Sequence, residues 1–243
     1  MCRQLKSILF NAFLVLKTPS LLKRGNIFWP IQRTYTEWVL ESKRQKEPQL
    51  IQSLTGIGIA ELQAIMAEIN LEPRAQLQYA LVRITQPQVV VETGVNRGLS
   101  SLAILSAMER NRKGELYSID LPSETRLTDG TIYKNTAEIG KLVLPELRHR
   151  WHLRLGDARQ ELPKVIDALP EIDMFIHDSL HTEAHMQWEF QTAWPKIPNG
   201  GWLLSDDIGV AFLKFLKRQK SKRWGCSGAY STKFGVILKE VKP

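Results

Sequence analysis

Two apolar runs in the second half of the chain end in acids. Ile172-Asp173-Met174-Phe175-Ile176-His177 runs into Asp178, and Trp202-Leu203-Leu204-Ser205 runs into Asp206-Asp207. Short runs of this kind read as strands. In an open parallel sheet, ligands bind outside the carboxyl ends of the strands, so these three acids should converge on one rim. Converging carboxylates repel unless a cation or a proton joins them. Oxygen-only ligands suit Mg²⁺, Mn²⁺ or Ca²⁺. The alternative is that Asp207 caps the helix after Ile208 and no metal is held. His177, His181 and His185 recur every fourth residue, a spacing that invites zinc. His177 should still be in strand geometry, however, so the three share no helix face, and His177 and His185 read as a packed histidine and a solvated one.

A second constellation lies upstream. Val89-Val90-Val91-Glu92-Thr93 is a β-branched run buried on both faces, followed by Gly94-Val95-Asn96-Arg97-Gly98 and a helical pattern from Leu99 and Ser100. A strand, a glycine turn and a helix N-terminus bring backbone N–H groups and the helix dipole to a ligand. The strand Glu115 to Asp120 follows, ending in an acid at the spacing of a ribose-binding carboxylate. This reads as a nucleoside-cofactor site. Its E-x-G-x-x-x-G-x-S pattern is not the G-x-G-x-x-G of a pyrophosphate loop, since Asn96 stands two residues past Gly94. A tight structural turn is the bland alternative.

The elements that must position these residues alternate. Further strands are expected at Trp151–Leu155, ahead of Gly156-Asp157-Ala158, and helices at Ala137–Leu144, Leu162–Leu169, His181–Trp194 and Val210–Lys220. Leu121–Gly130 reads as a polar loop. Alternating strands and helices imply βαβ crossovers and a doubly wound, mostly parallel α/β sheet. Trp224–Tyr230 and Lys233–Lys239, joined by Ser231-Thr232, must pair antiparallel. Upstream, Tyr35–Glu47, Gly58–Ile69 and Pro73–Ile84 read as helices, with Pro73 suited to a first turn.

Over roughly residues 86–240 the chain resembles class I S-adenosylmethionine-dependent methyltransferases of the divalent-metal O-methyltransferase type, which include the catechol and macrocin O-methyltransferases and the family 24-like group. The resemblance is carried by the loop pattern, by Phe175-Ile176-His177-Asp178-Ser179-Leu180-His181-Thr182, by Glu189-Phe190, Ala193-Trp194-Pro195, Gly200-Gly201 and Asp206-Asp207, and by Ile139-Gly140, Pro145-Glu146-Leu147 and Arg150-Trp151. It implies a seven-stranded Rossmann-like sheet with a C-terminal antiparallel hairpin and S-adenosylmethionine as cofactor. It places Glu92, Gly94 and Gly98 around the cofactor's methionine part, with Asn96 in the same loop and Ser100 near the carboxylate. Asp120 would accept from the ribose hydroxyls and Asp157 would approach the adenine amino group. The alternative for Asp120, Asp157 and Ser100 is a helix-capping role. The resemblance further implies a divalent ion (Mg²⁺) on Asp178, Asp206 and Asp207, and puts His181 where catechol-type relatives carry a lysine base. Those relatives have Asp-Asn at the last pair; the Asp-Asp here is common among macrocin-type relatives and bears on the substrate.

The expected function is O-methylation of a hydroxyl on a small, lipid-linked or sugar-linked acceptor. Two alternatives stay open: a cephalosporin-hydroxylase-like enzyme on the same fold, and a non-catalytic module that binds a membrane or a partner. The net charge of +8 is uneven. Residues 1–46 carry nine basic and two acidic side chains, and 214–223 carry six basic and no acidic ones, around an acidic body. Nucleic acid is therefore a poor substrate candidate, and a solvated helix face accounts for the Lys214–Arg223 patch. Ile8 to Leu16 is too short an apolar stretch to span a bilayer. Residues 1–30 read as a basic amphipathic segment lying on a membrane surface or a partner, or packed on its own domain or in a homo-oligomer. The organisation expected is a basic segment at 1–34, a helical extension at 35–85 and the cofactor-binding domain at 86–243. Cys2 and Cys226 give no disulfide framework and fit a reducing, cytoplasmic setting.

Overall fold

Val90, Val91, Glu92 and Thr93 are wholly buried in the first strand, β1 (Val89–Thr93). The computed structural model describes residues 47–122, 124–126, 132–134, 138–206, 208–221, 223–227 and 234–240. The N-terminal basic segment, the helix expected from Tyr35 and the acid Asp207 lie outside the described residues.

Among the described residues three helices precede β1: α1 (Glu47–Thr55), α2 (Ile59–Met66) and α3 (Pro73–Thr85). Glu72 caps α3 by accepting from the N–H groups of Arg74 (3.2 Å) and Ala75 (3.0 Å), and Pro73 takes the first-turn place where no N–H is needed. After β1 the chain runs through α4 (Leu99–Asn111), β2 (Glu115–Asp120), β3 (Glu124–Arg126), β4 (Ile132–Lys134), a 3₁₀ turn at Pro145–Arg150, β5 (Trp151–Leu155), α5 (Ala158–Ala168) and β6 (Met174–His177). It ends with α6 (Glu183–Ala193), β7 (Trp202–Asp206), α7 (Val210–Gln219), β8 (Trp224–Ser227) and β9 (Phe234–Leu238).

The described strands form a seven-stranded sheet in the order β5-β2-β1-β6-β7-β9-β8. Its neighbours pair parallel except for β9, which is antiparallel to both β7 and β8. The order reverses between β1 and β6, the switch point at which such sheets bind ligands. The register then decides where the acids fall. Thr93 pairs with Ile119 and His177, and His177 pairs with Ser205. The next residue along each strand is therefore Gly94, Asp120, Asp178 and Asp206, all on one rim.

Side chains alternate across the sheet. Val90, Leu116, Met174, Ile176 and Leu204 share a core with Leu77, Ala80 and Leu81 of α3 and with Ala103, Ile104 and Met108 of α4. The helices ahead of β1 are thus built into the same core as the sheet. Phe190 of α6 packs near Phe212 and Phe215 of α7, with ring centroids 6.5 and 5.4 Å apart. Burying each such ring stabilises the fold by about 2–3 kcal/mol before entropy is counted.

Three local expectations are corrected. The loop after Asp120 contains a short antiparallel pair, β3 with β4. Residues 138–144 form turns rather than the expected helix, because Gly140 sits at φ +69° and its backbone bonds elsewhere. Its N–H donates to the Asn96 carbonyl and that of Leu142 to the Arg97 carbonyl, both at 2.9 Å, so this segment braces the glycine loop. A Cβ on Gly140 would lie 2.1 Å from the Trp151 ring. Finally, α5 begins at Ala158, ahead of the expected Leu162, because Asp157 caps it.

Candidate functional site

The glycine loop is tight because other backbone fills the space a side chain would need. At Gly94 (φ +84°) a Cβ would meet the Asp178 carbonyl oxygen at 1.9 Å, and at Gly98 (φ +86°) it would meet the Gly140 Cα at 2.9 Å. Between them Asn96 takes a left-handed φ of +49°. Asp120 secures this turn. Its Oδ2 accepts from the N–H groups of Val95 (3.0 Å) and Asn96 (2.7 Å), and its Oδ1 accepts from Leu121 N–H (2.7 Å). A carboxylate offers about four acceptor positions, so roughly one remains, on Oδ1.

Glu92 lies beneath the loop with no exposed surface. It accepts hydrogen bonds from Ser100 Oγ, from Ser101 Oγ (2.7 Å) and from Ser118 Oγ (2.8 Å), and Trp151 Nε1 donates to Ser118 Oγ at 2.9 Å. Burial pushes the Glu92 carboxyl up; the serine hydroxyls pull against that, and the charge of Asp120 adds to it. Glu92 therefore ties β1, α4 and β2 together, and the Ser100 hydroxyl spends its proton on it. Asp157 caps α5 through Oδ1, which accepts from Arg159 N–H at 2.9 Å.

Across the switch point, ligand atoms of Asp178, His181 and Asp206 all lie within 4.8 Å of one another. His181 Nε2 is 3.7 Å from Asp178 Oδ1. Burial, and then the neighbouring charge of Asp206, hold the Asp178 carboxyl far above the usual carboxylate range. One counter-charge comes from outside the sheet: Arg74, in the first turn of α3, places Nη1 2.5 Å from Asp206 Oδ1. The contact is one of charge, since that oxygen is buried and has no hydrogen-bond donor in aligned geometry.

Below Asp178 lies a buried ionic network. Glu189 Oε2 bonds with Thr93 Oγ1 (2.7 Å) and His177 Nδ1 (2.6 Å), and its Oε1 with Ser179 Oγ (2.8 Å) and His185 Nε2 (2.9 Å). Burial alone would raise the Glu189 carboxyl, but its bonds to His177 and His185 and their charge outweigh that and bring it down to about 2. His185 is 5% exposed, so it is buried, not solvated as expected, because α6 turns it onto Glu189. His177 and His185 share one carboxylate while His181 faces the acids, which removes the three-histidine zinc arrangement.

Sequence reasoning missed Arg74 and the role of Glu189. Glu189 had a usable signal, one helical turn after His185. Arg74 had none, since its partner is far away in the chain. The basic patch at 214–223 is partly spent internally: Lys214 pairs with Glu183, and Arg218 Nη1 donates to Gln187 Oε1 at 3.1 Å. Among the described residues no helix is long and apolar enough to cross a membrane.

Residues 91–208 match a family model described as a methyltransferase domain. No curated protein matches the chain in sequence. Solved structures share its fold. An O-methyltransferase from Bacillus cereus in complex with SAH is 13% identical with a TM-score of 0.50, covering 82% of this chain and 100% of that one. The O-methyltransferase TomG from Streptomyces achromogenes, involved in tomaymycin synthesis and in complex with SAM, is 15% identical with a TM-score of 0.50, covering 87% and 96%. Cofactor-bound Rv0187 from MTB is 15% identical with a TM-score of 0.53, covering 79% and 95%. The methyltransferase-domain match thus runs from within β1 to the acid rim of a sheet in this strand order, and residues 91–208 of the chain form a methyltransferase domain.

Proposed function

We propose that the protein transfers a methyl group to a hydroxyl oxygen of a small acceptor, beside a divalent cation held by Asp178, Asp206 and Asp207. The observation that carries this reading is the shared rim: the glycine loop and Asp120 stand on one side of the β1–β6 switch point, and Asp178, His181 and Asp206 on the other. Bound S-adenosylmethionine supplies an electrophilic methyl carbon on a sulfonium. Gly94, Asn96 and Gly98 shape the loop against its methionine part, with Glu92 and Ser100 setting that loop from beneath. The remaining acceptor position on Asp120 suits a ribose hydroxyl, and Asp157 stands at the adenine end of the rim.

His181 takes the proton of the acceptor hydroxyl at Nε2. Transfer of that methyl group would be an in-line displacement, so the chain's main contribution is alignment, with the glycine loop on one side of the switch point and the acids and His181 on the other. Asp178 steadies His181. Carboxylate oxygens such as those of Asp178 and Asp206 are donors that hard divalent ions accept, and such an ion would ease loss of the hydroxyl proton to His181. Leu180, 57% exposed between Asp178 and His181, offers apolar surface to the body of the acceptor.

Calorimetry with S-adenosylhomocysteine on cofactor-free protein tests the cofactor half; absence of binding would sink it. Mass spectrometry of candidate hydroxylated acceptors after turnover tests the rest. A gain of one methylene unit supports methyl transfer, whereas a gain of one oxygen points to hydroxylase-like chemistry.

A further inference from the structure

We infer that Arg74 is a built-in competitor for the cation site, so that a divalent ion binds Asp178 and Asp206 only by displacing its guanidinium. This rests on the cation reading proposed above. Three observations lead to it. Arg74 Nη1 lies 2.5 Å from Asp206 Oδ1, with the two side chains 28% and 13% exposed. The same Oδ1 is buried without an aligned donor, so the pair is held by charge and lacks the directional bonds that make a bidentate arginine–carboxylate pair hard to break. Finally, ligand atoms of Asp178 and Asp206 lie within 4.8 Å of each other, so the guanidinium on Asp206 stands beside the place a shared ion would take.

The position of Arg74 is not incidental to a floppy surface chain. Glu72 and Pro73 fix the first turn of α3, and α3 is packed into the main core through Leu77, Ala80 and Leu81. Only the arginine side chain needs to move. A metal that takes the acids therefore has to outcompete a charge that is always present at high effective concentration. The site should accept ions reluctantly, and Arg74 sets how reluctantly. Once displaced, the guanidinium would stand next to the bound ion and add positive charge to the acceptor end of the site.

The test is a Mn²⁺ titration of the full chain, followed by calorimetry and by the loss of free-ion paramagnetic signal. Wild type, Arg74→Gln and Arg74→Met are compared, with urea denaturation of each as the check that the fold is intact and S-adenosylhomocysteine binding measured separately. Both variants should bind Mn²⁺ at least tenfold more tightly than wild type, while Arg74→Lys, which keeps the charge, stays near wild type. Equal or weaker Mn²⁺ binding in the two neutral variants overturns the inference. Absence of Mn²⁺ binding in every protein, with S-adenosylhomocysteine still bound, overturns it together with the cation reading and leaves the cofactor reading standing. Failure of S-adenosylhomocysteine to bind wild type sinks the cofactor reading alone, since the Mn²⁺ comparison is scored separately.

Discussion

Gly94 and Asp178 are packed so closely that no β-carbon fits between them: one placed on Gly94 would sit 1.9 Å from the Asp178 carbonyl oxygen. The two residues end adjacent parallel strands, and Asp178 N–H donates to the Thr93 carbonyl at 2.8 Å. Gly94 therefore sets the distance between the glycine loop with Asp120 on one side and the acids on the other.

Gly94→Ala should be severe for two reasons that add. Alanine at φ +84° is strained, and its methyl group collides with backbone that cannot rotate away. The expected loss is about 3 kcal/mol or more of unfolding free energy. Urea denaturation checks it, and a variant as stable as wild type would show that the strands can separate at no cost.

The buried network predicts a pH signature. Glu189 is held down to about 2 from an ordinary 4.5, so it releases its proton more readily folded than unfolded. Its contribution to stability is present above the unfolded value and is lost as pH falls from about 4.5 through about 2. Glu189→Gln leaves His177 and His185 without their shared carboxylate and should cost about 3–5 kcal/mol near neutrality. The gap between wild type and variant should narrow on acidification through that window. Parallel stability curves for the two proteins would exclude the network as its source.

Glu92 carries the opposite sign. Burial lifts its carboxyl, so the folded state holds that proton more firmly, and its contribution to stability fades as pH rises through the raised value. Glu92→Gln keeps the shape and removes the charge, and the serine hydroxyls can turn to suit the amide. The variant should lose less stability than wild type between mildly acidic and alkaline pH. Ser118→Ala strips a donor from Glu92 and the acceptor of Trp151 Nε1, and should cost about 1–3 kcal/mol.

How far the sequence carried this picture depended on range. β1, β6 and β7 were legible because strands buried on both faces are contiguous apolar runs, and the acids that end them fall on one rim once the strands are parallel. The β3–β4 pair was not, since Glu124-Thr125-Arg126 and Ile132-Tyr133-Lys134 carry no clear apolar alternation. Gly140 interrupts a stretch whose composition suits a helix, and what it does there is decided by Trp151 and Asn96, which sequence reasoning did not connect to it. Arg74 was hidden for the same reason: local pattern gives its helix, and only tertiary packing gives it Asp206.

His181 is the proposed base, and its removal should separate chemistry from binding. His181→Ala should lower kcat by about 10²–10⁴-fold while the affinity for S-adenosylhomocysteine stays near wild type. Steady-state kinetics with any accepted hydroxyl substrate checks this. An unchanged kcat would move the proton-accepting role elsewhere.

Asp120 offers a sharper separation, because its two oxygens do different jobs. Oδ2 holds the loop through Val95 and Asn96, while Oδ1 takes only Leu121 N–H and keeps an acceptor position toward the rim. In Asp120→Asn the amide oxygen can keep the two loop bonds. The amide nitrogen then faces Leu121 N–H, donor against donor, and the acceptor left for a ribose hydroxyl is gone. The loop should therefore survive at a cost of about 1–3 kcal/mol, while S-adenosylhomocysteine binding weakens by about tenfold or more. Asp120→Ala removes both sets of bonds, so it should lose stability and affinity together. Calorimetry and denaturation on the pair resolve the two roles: if the asparagine variant bound S-adenosylhomocysteine like wild type, Asp120 would be a loop clamp and no ribose ligand.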